Sequence, residues 1–262
     1  MREERLTTAQ YWESGYAAGA DPTPLATDDF RQFWARRLLE KIESIGLQDC
    51  SVLEVGAGDS AVLTSLAARH GSEARFSGLD YSESGCRRLV HRARMEGVNV
   101  EVHHQDLFEA SSDLVGRFDL IYSLGVAEHF SSLPFVLQAM TRLLAPGGRV
   151  LTVIPNMAGV LGALTRRYNR SVYELHVPHD LRSLVVGHEA ASLDVIESGY
   201  ICSSNFGVLS SCFKSESDFG WGAYKWLSRI SKLIWFFESR IGELPHTARF
   251  SPYIYAVGQA AR

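Results

Sequence analysis

The segment Glu54-Val55-Gly56-Ala57-Gly58-Asp59-Ser60-Ala61 concentrates residues that could do chemistry. Two glycines one residue apart let the backbone turn sharply and approach a ligand closely. A helix opening at Ala61 would present its unpaired N–H groups to that ligand. Gly56-x-Gly58-x-x-Ala61 also satisfies the dinucleotide fingerprint. Asp80 follows 22 residues after Gly58, where a carboxylate can accept hydrogen bonds from both hydroxyls of a ribose. On these residues alone a nicotinamide enzyme and an adenosyl-binding enzyme stand level.

Further residues separate the two. Glu54 sits two places before the first glycine. A carboxylate there suits a ligand that carries an ammonium and is unhelpful beside a pyrophosphate. His104-Gln105-Asp106-Leu107 places an acid where it could bond an adenine amino group. Phe118-Asp119-Leu120-Ile121-Tyr122 runs through Ser123-Leu124 into Gly125-Val126-Ala127-Glu128-His129-Phe130, and Leu143-Leu144-Ala145-Pro146-Gly147-Gly148 follows.

His129 lies just beyond a strand whose end faces the ligand, which makes it a general-base candidate. The competing reading is a structural histidine bonded to a neighbouring loop. His176 and His179, within Glu174-Leu175-His176-Val177-Pro178-His179-Asp180, form a second cluster. His-x-x-His beside an aspartate hints at a metal, but no further ligands with matching spacing accompany it. The expectation is therefore no metal; a role for both histidines near the acceptor substrate is implied only by the family resemblance given below, whose members carry a substrate-recognising cap in this segment. Tyr11-Trp12 reads as an aromatic anchor for the first helix or, as only the family resemblance given below implies, as a lid over the ligand.

Elements that would position these groups follow from periodicity. Phe30, Phe33, Trp34, Leu38, Ile42 and Ile45 recur at helical spacing, with Thr27 or Asp28 as cap and Gly46 as stop. Strands are expected at 52–55, 75–79, 98–103, 118–122 and 149–154, alternating with helices at 61–69, 84–95 and 133–144. Ser131 or Ser132 would cap the last of these, with Pro134 in its first turn. This alternation implies crossover units and a parallel sheet. Turn material stands at Asp21-Pro22-Thr23-Pro24. Phe250 to Gly258 reads as a final strand, with a neighbour expected within Tyr200 to Cys212. Between 224 and 241, Trp226, Ile230, Leu233 and Phe237, joined by Leu227, Ile234 and Ile241, form a stripe expected to face the core. Trp235 falls on the opposite side and is expected to meet a dimer partner or wall a substrate pocket, in preference to a membrane surface.

Taken together, these motifs make the chain resemble a class I S-adenosylmethionine-dependent methyltransferase of the small-molecule type, over roughly Asp49 to Ile154. Ser60 departs from the pattern, standing where many members have a third glycine. The resemblance implies a Rossmann-like, mostly parallel seven-stranded α/β sheet with helices on both faces, a small cap after strand five and an N-terminal helical lid. It implies S-adenosyl-L-methionine as cofactor and S-adenosyl-L-homocysteine as product. The cofactor would be held by Tyr11, Glu54, Gly56, Ala57, Gly58, Asp80, Tyr81, Gln105, Asp106, Leu107, Ser123 and Leu124. The implied reaction is in-line methyl transfer to an O (or N) nucleophile of a small acceptor such as a natural product or sugar. The asparagine of Ile154-Pro155-Asn156 adds a modest bias toward oxygen. The alternatives are a non-catalytic adenosylmethionine-binding regulator and an NAD-dependent oxidoreductase.

Composition agrees with a soluble globular protein: 262 residues, 46% apolar, 21% charged. Net charge is −4, without a basic block, and Ser123-Leu124-Gly125-Val126 is not the signature of base-amino methylating members. Nucleic acid is thus not the expected substrate. Four scattered cysteines, Cys50, Cys86, Cys202 and Cys212, suit a reducing cytoplasm. The charged start, Met1 to Arg5, argues against a secretory signal, and no apolar run reaches membrane-spanning length. The expected division is a lid and helix at 1–46, a cofactor-binding core at 47–154, a substrate-recognising cap at 155–199, and completing strands and helix at 200–262.

Overall fold

The computed structural model describes residues 5–17 and 23–261. The first four residues and the Asp21-Pro22 part of the expected turn lie outside the described residues. One seven-stranded sheet organises the chain: β1 (Ser51–Val55), β2 (Arg75–Asp80), β3 (Glu101–His104), β4 (Phe118–Leu124), β5 (Leu144–Pro155), β6 (Asp194–Ile201) and β7 (Tyr253–Gln259). Their spatial order is β3-β2-β1-β4-β5-β7-β6. β1 to β5 pair in parallel, while β7 runs antiparallel between β5 and β6.

Helices cover both faces, which is why every residue of β1 is buried. Alternate strand residues enter opposite layers, Val52, Leu120 and Leu151 on one side and Leu53, Ile121 and Val150 on the other. The first layer is closed by α2 (Phe33–Glu43), α3 (Ala61–His70) and α4 (Glu83–Glu96), the second by α5 (Leu133–Thr141) and α8 (Leu181–Ala190). Helix α1 (Ala9–Ala17) lies against α4. Two short helices, α6 (Val160–Tyr168) and α7 (Arg170–Glu174), follow β5, and α9 (Trp221–Ile241) precedes β7.

Local chemistry sets the boundaries. Ser60 accepts the Leu63 N–H at 3.1 Å and so caps α3, which is what a serine can do where a glycine could not. Ser82 caps α4, and Gly97 ends it with φ +66°. Asp29, rather than Thr27 or Asp28, caps the turn leading into α2. The helix expected to 144 stops at Thr141, and Leu144 already belongs to β5.

Two expectations for the C-terminal half are corrected. The neighbour of β7 is β6, at 194–201, and residues 206–212 form a 3-10 turn. Asn205 starts that turn by accepting the Gly207 N–H, a local bond that competes with a ladder. Helix α9 is turned the other way around. Trp235 is 3% exposed, stacks on Phe33 and donates its indole N–H to the Ser204 carbonyl at 2.9 Å. The stripe expected in the core faces outward, with Trp226 66% and Leu233 57% exposed. Ser231, one turn from Trp235, is small enough to let the helix sit close, and its hydroxyl oxygen accepts the Phe206 N–H at 2.9 Å. Among the described residues no helix is long and apolar enough to cross a membrane.

Candidate functional site

The carboxyl ends of β1, β2 and β4 converge on the glycine loop. Gly56 and Gly58 have φ of +72° and +41°. A Cβ on Gly56 would stand 2.4 Å from Val126 Cγ2, and one on Gly58 would stand 1.8 Å from the Tyr16 hydroxyl. The loop is held by N–H bonds from Gly56 and Ala57 to the Leu79 carbonyl. Asp80 completes it, accepting the Gly58 N–H at 2.8 Å on one oxygen and the Ser82 N–H at 2.7 Å on the other. Asp59 is turned away and paired with Arg88 and Arg92, pinning α4 to the loop.

Glu54 is 3% exposed and accepts the Tyr122 hydroxyl at 2.7 Å. Burial pushes its carboxyl up to about 8, against the pull of the Ser60 and Tyr122 hydroxyls. Burial also raises Asp80, although two backbone N–H groups oppose it. Two desolvated acids thus flank one glycine loop, an environment that favours a cationic ligand.

A cleft of about 200 Å³ opens above the loop, lined among others by Trp12, Tyr16, Asp80, Tyr81, Leu124 and His129. A second, of about 480 Å³, reaches Glu54, Ala57, Glu128 and Tyr253. The two share Tyr16, Gly56, Leu124 and Gly125. Tyr11 lies outside both, 47% exposed, whereas Trp12 lines the first and Tyr16 lines both. Tyr16 was not singled out from the sequence, yet its position four residues after Trp12 puts both on one helical face. Ser123 is fully buried, with a hydroxyl that finds no partner.

On the β3 side, Asp106 accepts the Phe108 N–H at 3.0 Å and pairs with Arg5. The Arg5 guanidinium lies over the rings of Tyr81 and Phe108, at 5.2 Å from each. Gln105 is occupied with Ser111, and Leu107 is a core residue; neither lines the cleft.

At the other end, two segments are tied together. The Val177 N–H donates to the Glu128 carbonyl at 2.7 Å, and His129 Nδ1 lies 2.7 Å from the Leu175 carbonyl. His176 Nδ1 is 2.8 Å from the Val172 carbonyl. Carbonyls only accept, so both histidines carry their proton on Nδ1 and leave Nε2 with a free lone pair. Their rings are 4.7 Å apart, and Trp12 packs edge-on against His129 at 5.4 Å. Burial lowers both imidazoles and keeps them neutral, while it lifts the Glu128 carboxyl to about 7. His179 stands apart, its Nδ1 3.3 Å from the Ser183 hydroxyl at the start of α8.

A mostly parallel seven-stranded sheet in this order, with helices on both faces and a glycine loop after β1, is the Rossmann-like α/β fold of solved methyltransferases. More narrowly, residues 52–148 match the family described as a methyltransferase domain. Among curated relatives, a ubiquinone biosynthesis O-methyltransferase of Aromatoleum aromaticum is 31% identical over 105 residues, covering 40% of this chain and 44% of that protein. One from Acinetobacter baylyi is 24% identical over 153 residues, covering 52% and 63%. The chain thus matches about half the length of these relatives. Among solved structures, the N-methyltransferase NodS of Bradyrhizobium japonicum, in complex with S-adenosyl-L-homocysteine, superposes with TM-score 0.59 at 16% identity, covering 99% of this chain and 100% of that one. The [4+2]-cyclase SpnF superposes with TM-score 0.61 at 15% identity, covering 97% and 92%.

Proposed function

We propose that this chain is an S-adenosylmethionine-dependent methyltransferase acting on an oxygen, or secondarily a nitrogen, of a small-molecule acceptor. The pair of buried acids at the glycine loop carries the reading. Glu54 can give up its proton and pair with the ligand's ammonium, and Asp80 suits its ribose diol, whereas a pyrophosphate beside Glu54 would gain no such charge pair. When bound, the cofactor supplies an electrophilic methyl group on a positively charged sulfur.

The chain's own work is alignment and proton handling. Gly56 and Leu124, shared by both cavities, would support the middle of the cofactor; Asp80 and Tyr81 would hold its nucleoside end, and Glu54 its amino-acid end. Trp12 and Tyr16 cover the cleft and exclude water. Holding the reactants in line removes several kcal/mol of barrier. His129 presents a neutral Nε2 at the acceptor end, where it can take the hydroxyl proton as the new bond to carbon forms. His176 lies beside it; His179 belongs to the cap that would select the acceptor. The O-methyltransferase names of the curated relatives favour an oxygen acceptor. The cyclase on the same fold keeps a second reading in view, a cofactor-binding protein that transfers no methyl group.

Calorimetry with S-adenosylmethionine, S-adenosylhomocysteine and NAD in parallel tests this. Micromolar binding of the first two, without NAD, is expected. Binding of NAD alone would overturn the proposal. An acceptor screen that never consumes bound S-adenosylmethionine would favour the non-catalytic reading.

A further inference from the structure

We propose that Glu128, His129 and His176 form a binding site for one divalent first-row transition cation of the zinc type, opening onto the acceptor end of the cleft. The sequence pointed to His-x-x-His at 176 and 179 and led to no metal. The fold selects a different set, bringing residues 128 and 129 against residue 176. One ligand atom from each, a carboxylate oxygen and two imidazole nitrogens, lies within 4.8 Å of the others. Bonds of about 2.0–2.2 Å require donors about 3.4 Å apart in a tetrahedral site, so a modest rotation of these side chains closes the set.

Three independent features fit ligands. Glu128 is 1% exposed, and its Oε2 has no hydrogen-bond partner, an expensive arrangement for a carboxyl group that makes no further bond. Both histidines anchor Nδ1–H on a backbone carbonyl, at 2.7 and 2.8 Å, which fixes the ring and aims the Nε2 lone pair away from it. The bond between the Val177 N–H and the Glu128 carbonyl clamps the two contributing segments together. Two imidazoles and one carboxylate suit zinc and its first-row neighbours, whereas magnesium and calcium prefer an all-oxygen set.

The site also has a way in. His129 lines the smaller cavity and Glu128 the larger, so the cluster sits at their seam beside Gly125. Three protein ligands leave a position for an oxygen of the acceptor. This part of the inference rests on the methyltransferase reading. With a cation bound, a hydroxyl on it would release its proton more readily to solvent water while His129 ligates; in the metal-free chain His129 keeps the role of base.

The test is calorimetric titration of the full chain with zinc chloride alone, with magnesium chloride as a second probe, repeated on Glu128→Gln and His176→Ala. Cobalt(II) absorption reports the coordination directly, and thermal melts without metal verify that each variant is folded. Expected are one zinc per chain, a cobalt spectrum of low coordination number, and affinity at least tenfold weaker in each variant. No stoichiometric zinc binding, or a folded variant that binds as tightly as the parent, would overturn the site; the second result would trace the metal to a thiol such as Cys50. S-adenosylmethionine titrated into the same samples separates the two proposals. Cofactor binding without zinc binding removes the metal site only, and zinc binding without cofactor binding removes the methyltransferase reading only.

Discussion

Replacing Glu54 by glutamine should improve the free protein and impair the bound one. With its carboxyl raised to about 8, Glu54 is mostly protonated in the free chain at pH 7. Its folded value lies above the ordinary 4.5, so its contribution to stability is complete below about pH 4.5 and is lost as pH rises toward 8. The shift corresponds to a loss of at most about 5 kcal/mol across that window. Glutamine has the same shape, can still accept the Tyr122 hydroxyl and never ionises. Glu54→Gln should therefore melt above the parent by a margin that widens from pH 5 to pH 8. Ligand binding should move the other way. An ammonium beside Glu54 favours the carboxylate, so binding expels a proton and affinity rises up to about tenfold per unit between pH 6 and 8. Above about 8 the ligand's own α-amino group begins to deprotonate, which turns the profile over. Loss of the charge-assisted bond should cost the variant about 1.5–3 kcal/mol at pH 8. Calorimetry from pH 6 to 9, in buffers of different ionisation enthalpy, counts the proton. Flat affinity without proton release, or a variant with the parent's rising limb, would refute the placement of the ammonium.

Gly56→Val should abolish cofactor binding while leaving the circular dichroism spectrum intact, because the added Cβ falls 2.4 Å from Val126 at a positive φ; retained binding would sink the loop assignment. His129→Ala should lower turnover about a hundredfold or more with little change in cofactor affinity, and an unchanged rate at all pH values would make His129 purely structural. Trp235→Ala should destabilise the fold by about 3–5 kcal/mol, whereas Ile241→Ser, at an 81% exposed position of the same helix, should change it by less than about 0.5 kcal/mol. Equal effects in denaturant titrations would contradict the orientation of α9.

The sequence by itself determined whatever is local or periodic. The glycine loop and the acid closing β2 were legible because each stands at the end of a strand, 22 residues apart within one crossover unit. Strand and helix alternation was legible most clearly at β1 and β4, because parallel strands buried on both faces must be apolar runs. Other features were decided only by the tertiary structure. An amphipathic helix has a recognisable apolar stripe, but which face docks depends on its neighbour. For α9 the fit of Trp235 against Phe33 and Ser204 outweighed the larger apolar stripe. Likewise, spacing along the chain paired His176 with His179, because sequence distance was the sole available measure. Folding set His176 beside His129, 47 residues earlier, through the carbonyl of Leu175. Tyr122 was legible as a strand residue, while its bond to Glu54 needed the register of β1 on β4. Local bonds are written in adjacent residues; which side chains meet across the sheet is set by packing all of it at once.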